Sequence, residues 1–170
     1  MRTIHKRKLT PAEAKILVAA LKDTPNITGY SEDEWLHFSD VWVAEIDGKF
    51  AAVAVNQDFG SDWTYLAVLF VLPEYRSIGI GKKLFDTQLE AIRSCKRGVY
   101  TCSRNPLVIE WMKKEGMSLS TTMWSAPLPI LLYYLIFYIS PYRIREFLRK
   151  SSQFKNEPKW VYGRGSFQPH

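Results

Sequence analysis

Leu69-Phe70-Val71-Leu72-Pro73-Glu74-Tyr75-Arg76-Ser77-Ile78-Gly79-Ile80-Gly81-Lys82-Lys83-Leu84-Phe85 is the stretch whose reading decides the fold. An apolar run stops at a proline, a short loop carries an arginine and two glycines, and a helical pattern begins. Glycines at 79 and 81 let the backbone approach a ligand closely, because no Cβ intervenes. The first amides of the following helix lack intrahelical acceptors, and the helix dipole makes that end attractive to anions. A strand feeding such an end is a ready phosphate site. Ile80, Leu84, Phe85, Leu89 and Ile92 fall on one helical face, with Lys82, Lys83, Asp86, Glu90 and Arg93 away from it.

Two phosphate loops fail against this stretch. A P-loop needs a glycine where Arg76 stands and a Ser or Thr where Lys83 stands. A dinucleotide fingerprint needs a third small residue at Leu84. What fits is R-x-x-G-x-G, Arg76-Ser77-Ile78-Gly79-Ile80-Gly81, after a V-x-P strand exit. This resembles the acetyl-CoA loop of the GCN5-related N-acetyltransferases, the GNAT family.

Outward from the loop, the chain reads as alternating elements. Thr10-Pro11-Ala12-Glu13 is a capping box with proline at the first helical position, and Ile16, Leu17, Ala20 and Leu21 give the helix its face. Thr24 to Tyr30 is a loop, and Ser31 to Glu34 repeats the capping logic for a short helix carrying Trp35 and Phe38. Residues 41–46 and 50–55 flank Asp47-Gly48 as a β-hairpin. Trp63 to Leu72 is a strand, nearly all apolar from Ala67 and so covered on both faces. A helix over 79–94, a strand over 98–103 and a helix from Asn105-Pro106 through Glu115 follow. Gly116 stops that helix, and Met117 to Trp124 is a further strand. This order argues a mixed α/β (α+β) sheet packed by helices. It also resembles the GNAT acyl-CoA N-acyltransferase fold, with a two-helix insertion before the last strand. The expected division is one domain over 1–170: a core of about 1–124 plus 159–164, and a helical insertion of about 125–158.

The insertion opens with Pro129 to Ile139, apolar or aromatic throughout, and continues from Ser140-Pro141 with Arg143, Arg145, Arg149 and Lys150. Eleven residues fall short of the ~20 that span a bilayer. Cover by the protein's own core or by a homodimer partner is the first expectation; a lid over an apolar substrate and peripheral membrane contact are the others.

Length suits one domain with a proper core. The net charge of +6 has basic residues at both ends: Arg2, Lys6, Arg7 and Lys8, then seven Lys/Arg against two acids from Pro141 to His170. That balance suits a phosphate-rich cofactor, nucleic acid or an anionic membrane, or else is a scatter of solvated lysines. Nucleic acid is the weaker reading. Cys95 and Cys102 have no metal spacing and make no disulfide framework, which points to a reducing cytoplasm, and the N-terminus lacks the apolar stretch of a signal peptide. No metal site is expected.

The GNAT resemblance implies acetyl-CoA in a splayed opening beside the central strand. Phe70 and Val71 would contact the pantetheine arm, and Arg76, Ser77, Ile78, Gly79, Ile80, Gly81 and Lys82 would cradle the pyrophosphate. Asn105 would touch the cofactor, besides being a good N-cap. Asn105 to Met117 resembles the family's N-x-x-A-x-x-L-Y-x-K-x-G-F segment, but Met112 stands where its general-acid tyrosine does. The family's strand glutamate corresponds to about Ala67. With both positions vacant, Tyr65, Asp62 and Tyr100 are the catalytic candidates, with Asp58 and Glu45 beside them. Cys102 is a possible nucleophile or an inert buried thiol, and His5, His37 and His170 show no triad pattern. Tyr30, Trp35, Trp124 and Tyr133 could line an acceptor pocket. The expected function is acetyl transfer from acetyl-CoA to a primary amine of a small molecule or peptide by direct attack. The alternative is a non-catalytic acyl-CoA-binding or dimeric interaction module.

Overall fold

A computed structural model describes residues 1–25, 27, 29–137, 140–154 and 157–167. Asn26 and Thr28 of the expected loop, Tyr138 and Ile139 of the apolar run, and His170 lie outside the described residues.

Strands β1 (Arg2–Lys6), β2 (Asp40–Ile46), β3 (Lys49–Phe59), β4 (Trp63–Val71), β5 (Gly98–Ser103), β6 (Ser118–Ser120) and β7 (Val161–Gly165) form one seven-stranded sheet in the order β1-β2-β3-β4-β5-β7-β6. Only β4 and β5 pair in parallel. The helices are α1 (Pro11–Leu21), α2 (Glu32–His37), α3 (Ile80–Ser94), α4 (Pro106–Lys114), α5 (Leu128–Phe137) and α6 (Pro141–Gln153). This is a mixed α/β sheet with helices on both faces.

Strand alternation sorts the layers. Val53 and Val55 of β3 pack with Leu17, Leu21 and Trp35 under α1 and α2. Ala52 and Ala54 face the other way, and these small side chains let Ile80 and Leu84 of α3 approach the sheet. Further along α3, Phe85, Leu89 and Ile92 pack with Val99, Met112 and Met117. Helices α5 and α6 lie between β6 and β7. Ile130 of α5 is fully buried against Tyr65 and Tyr100, whereas Leu128, Leu132, Leu135 and Ile136 are exposed. Among the described residues, no helix is long and apolar enough to cross a membrane.

Both capping boxes form: Thr10 and Glu13, then Ser31 and Glu34, exchange side-chain and backbone hydrogen bonds. Glu13 also receives Arg7 at 2.9 and 2.6 Å, and Arg7 reaches on to Glu45 at 2.8 Å, tying α1 to β2. Burial pushes the Glu13 carboxyl up, but the hydrogen bonds from Arg7 and Thr10 outweigh it and hold it below the usual carboxylate range. A carboxyl depressed in the native state adds stability above its unfolded value and loses it as pH falls through the native one. Glu13→Gln should therefore cost ~1–2 kcal/mol at neutral pH. The difference from the parent should close on acidification, which urea unfolding followed against pH reads directly.

Five expectations need correction. The N-terminal basic stretch contains β1, an edge strand whose charges suit an exposed edge. β3 runs to Phe59, four residues beyond the expected hairpin. The strand expected over 117–124 is only Ser118–Ser120, because the Thr122 hydroxyl caps a 3₁₀ turn over Met123–Ser125. The last strand lies at Val161–Gly165 and wedges between β5 and β6. Its glycine makes the wedge possible: a Cβ at Gly163 would sit 2.6 Å from the Met112 sulfur. Ser140 starts α6 without a side-chain cap bond, leaving Pro141 to set the first turn.

Candidate active site

β4 and β5 pair from Trp63/Gly98 to Leu66/Thr101 and then part. β4 continues to Val71, while the end of β5 is held on its other edge by β7, Cys102 opposite Tyr162 and Ser103 opposite Val161. The parting begins at a bulge. Val55 pairs with Val68 and Asn56 with Leu66, so Ala67 has no opposite residue. Beyond it, the Leu72 N–H donates to the Ala51 carbonyl at 2.9 Å. By alternation, Phe70 turns its backbone toward β3, while Leu69 and Val71 turn theirs into the gap.

A cleft of ≈ 770 Å³ fills the gap, walled by β4 from Leu66 to Val71, by Arg76, Ser77, Gly79, Ile80, Gly81 and Lys82 of the loop, and by Ser103, Asn105 and Trp111 on the α4 side; Ile78 is exposed and is not part of the wall. The chain leaves β4 through a 3₁₀ turn at Pro73–Tyr75. Ser77 (φ 64°) and Gly79 (φ 84°) then adopt left-handed conformations that aim the start of α3 at the strand. Lys83 is the first α3 residue to donate back, to Gly79, so the preceding amides have no intrahelical acceptor. The first turn of α3 contains no acid. Arg76 Nε donates to the Val71 carbonyl at 3.2 Å, and its guanidinium lies over the Phe70 ring. Lys82 pairs with Asp86. The Ile78 carbonyl accepts from Arg2 Nη1 at 2.9 Å, an anchor from β1 that the sequence reading missed. A Cβ at Gly81 would lie 3.1 Å from Val71 Cγ2, so close approach of helix to strand is what that glycine permits. Asn105 caps α4 by accepting from the Leu107 N–H at 2.9 Å, and it also lines the cleft.

A second chamber of ≈ 440 Å³ adjoins the first. The two share Pro25, Ile27, Ala67 and Cys102, and so they meet where the strands part. Tyr30, Tyr65, Tyr134, Phe147, Trp160 and Tyr162 supply its aromatic wall, with Arg104 and Lys150 as cations. Lys150 Nζ donates to the Leu21 and Ile27 carbonyls, and burial pushes its pKa down to about 8. At the seam, the Cys102 sulfur lies 3.6 Å from the Tyr65 hydroxyl and 3.8 Å from that of Tyr134. Burial raises all three pKa values, so each group keeps its proton at neutral pH and the thiol is a poor nucleophile.

Of the three catalytic candidates, Tyr65 alone borders the seam. Asp62 stands five residues before the bulge, roughly 16 Å along the strand. There its carboxylate accepts from Ser61 and its carbonyl from the Gly98 N–H. Tyr100 is fully buried, stacked on Tyr162, and borders neither cavity. Asp58 accepts from Thr64, and Glu45 from Arg7. Met112 is core, without exposure. Among the proposed acceptor aromatics, Tyr30 lines the chamber; Trp35 is buried, Trp124 is exposed, and Tyr133 packs on Phe59. No group of His, Cys, Asp and Glu among the described residues could hold a metal ion. Sequence reasoning missed Arg104, Tyr134 and Lys150 as site residues, since no local motif marks them.

Residues 37–116, from the end of α2 to the stop of α4, match the acetyltransferase (GNAT) domain. The chain carries a GNAT domain. Its GNAT fold recurs in ribosomal-protein-S18-alanine N-acetyltransferase from Escherichia coli, with a TM-score of 0.68 and 14% identity over 100% of this chain and 96% of that one. N-acetylglutamate synthase from Neisseria gonorrhoeae, complexed with coenzyme A and N-acetyl-glutamate, matches at 0.65 and 19% over 96% of this chain. The match spans only 35% of the synthase's length. Diaminobutyrate acetyltransferase EctA from Paenibacillus lautus, in complex with its substrate and coenzyme A, matches at 0.62 and 10% over 100% and 98%. No curated protein sequence matches the chain.

Proposed function

We propose that this GNAT domain transfers an acetyl group from acetyl-CoA to a primary amine by direct attack across the seam at Ala67 and Cys102. The observation that carries the reading is the meeting of two cavities at the point where β4 and β5 part, one of them ending at the loop whose amides precede α3 without intrahelical acceptors. The residues fit the cosubstrate. The amides between Arg76 and Lys83, which have no intrahelical acceptor, and the Arg76 guanidinium would face a pyrophosphate, and the gap-facing backbone of Leu69 and Val71, beside Phe70, offers ladder partners to a pantetheine arm. Asn105 borders the same wall. Acetyl-CoA supplies the activated thioester. The bulged strand at Ala67 orients backbone polar groups where charge would develop on the carbonyl. Tyr65, protonated at neutral pH and adjoining Cys102, is placed to protonate the leaving thiolate, with Tyr134 behind it. None of the four residues common to both cavities is a carboxylate, so the amine's proton leaves through water.

The continuous sheet supports reading 1–170 as one domain, and two free cysteines fit a reducing cytoplasm. The exposed apolar residues of α5 support a homodimer contact there, with a membrane surface as the other occupant.

A second reading, a silent acyl-CoA-binding module, is favoured by Met112 in the family's acid position. Calorimetry with acetyl-CoA, paired with thiol release over a panel of amines, separates them. Binding with release on at least one primary amine is expected. Binding without release on any amine would leave the silent module, and no binding would remove both readings.

A further inference from the structure

The acetyl-transfer reading leaves the acceptor unnamed, and the chamber narrows it. We infer that the amine accepted here carries a carboxylate and an aromatic or bulky apolar body, the carboxylate held by Arg104; the inference rests on that reading.

Arg104 follows β5 directly, two residues beyond Cys102 at the seam. Its guanidinium lies over the Trp160 ring, 4.5 Å from the centroid, and both residues line the chamber. Arg104 Nε is buried without a hydrogen-bond partner, and no carboxylate among the described residues lies in ion-pair range of it. That sets it apart from Arg7, Arg93, Arg97, Arg143 and Arg149, each of which pairs with an Asp or Glu. A guanidinium that lines the chamber without a counter-ion is costly, and an incoming carboxylate on its fork offsets that cost with charge-assisted bonds.

The other charges in the chamber point the same way. The Lys150 ammonium is committed to two backbone carbonyls, which makes it a brace and leaves Arg104 as the anchor. The acid on the wall is Glu157, which is solvent-exposed. The chamber is therefore net cationic, and the rest of its wall is aromatic and apolar apart from Ser151. A volume of ≈ 440 Å³ suits a small molecule. Two residues of strand separate Cys102 from Arg104, roughly 7 Å. With the reach of the arginine side chain, an amino acid can place its amine at the seam and its carboxylate on the fork.

The test compares L-phenylalanine and L-tryptophan with phenethylamine and tryptamine, which differ from them by the carboxylate alone. The amino acids should show kcat/KM at least ~10-fold higher, as a charge-assisted pair implies. Arg104→Gln should narrow that gap to within about threefold, acting through KM, and Arg104→Lys should restore part of it. Equal rates for acids and amines in the parent protein, or the same loss on both classes in R104Q, would overturn the inference. Two further measurements keep its failure apart from that of the acetyl-transfer reading. Acetyl-CoA affinity reports on the cleft. Calorimetric binding of N-acetyl-L-phenylalanine in the presence of coenzyme A reports on the chamber without turnover. Arg104-dependent binding of that ligand with no turnover of any amine supports the ligand class and sinks the transfer reading. Transfer to amines with no Arg104-dependent binding does the reverse.

Discussion

Gly81→Val should weaken acetyl-CoA binding by at least ~100-fold, equivalent to about 3 kcal/mol. The first carbon added at residue 81 would lie 3.1 Å from Val71 Cγ2 and 3.8 Å from the far edge of the Trp111 indole. Valine adds two methyl groups beyond that, and its branch leaves little rotamer choice in a helix. The start of α3 must then lift from β4. The amides that would face the pyrophosphate lift with it, while the gap-facing backbone of Leu69 and Val71 stays put. A ligand gripped at both places loses one grip. Overpacking of this kind costs about 1–3 kcal/mol of stability, so the urea midpoint should fall without loss of the native circular dichroism. Calorimetry measures the affinity. Retention within about threefold of the parent Kd would mean that nothing binds between loop and strand.

Tyr65→Phe should lower kcat by ~100-fold with little change in KM, the size expected when a positioned general acid is removed. The hydroxyl is the only group lost, and the ring remains packed against Tyr100 and Tyr134. Burial holds the Tyr65 phenol well above its ordinary value. The sign follows. A donor must be protonated to act, and this one stays protonated beyond the alkaline range in which a free amine becomes reactive. The parent kcat should rise as the acceptor deprotonates and then level off, with no fall through pH 10, near which an ordinary phenol titrates. Tyr134→Phe should cost less, about tenfold, because that hydroxyl acts through Cys102. A Y65F enzyme retaining a third or more of the parent kcat would show that the leaving thiolate takes its proton from water.

Local chemistry was legible and relative placement was not. Gly79, Gly81 and Pro73 mark the loop because each meets a backbone requirement within a few residues of itself. Thr10 with Glu13, and Ser31 with Glu34, mark helix starts for the same reason. The parting of β4 and β5 depends on the register at Leu66 and Thr101, a pairing across 35 residues that no periodicity encodes. Asp62 illustrates the consequence: adjacency to the central strand says nothing about which end of it faces the ligand. Tyr134 sat in an apolar run whose uniformity hid which face turns inward, and Ile130 beside Leu132 shows how sharply the two faces differ. Arg104, between Ser103 and Asn105, reads as a plain loop cation until Trp160 is brought beneath it by β7. The bulge at Ala67 left no mark either, since alanine suits a regular strand as well.

The placement of β7 has a consequence for how such a protein can diverge. The cleft is built within residues 20–111, whereas the chamber borrows much of its wall from residues 123–162. The two share four positions. Because the segment after β6 returns to the sheet as a wedge between β5 and β6, its length and side chains can drift while the strand pairing that shapes the cleft is untouched. Apart from Tyr30, Tyr65, Arg104 and the four shared positions, mutations that remodel the chamber therefore fall on a different stretch of chain from those that would damage the cleft. The architecture separates the part open to selection for a new ligand from the part that must be kept.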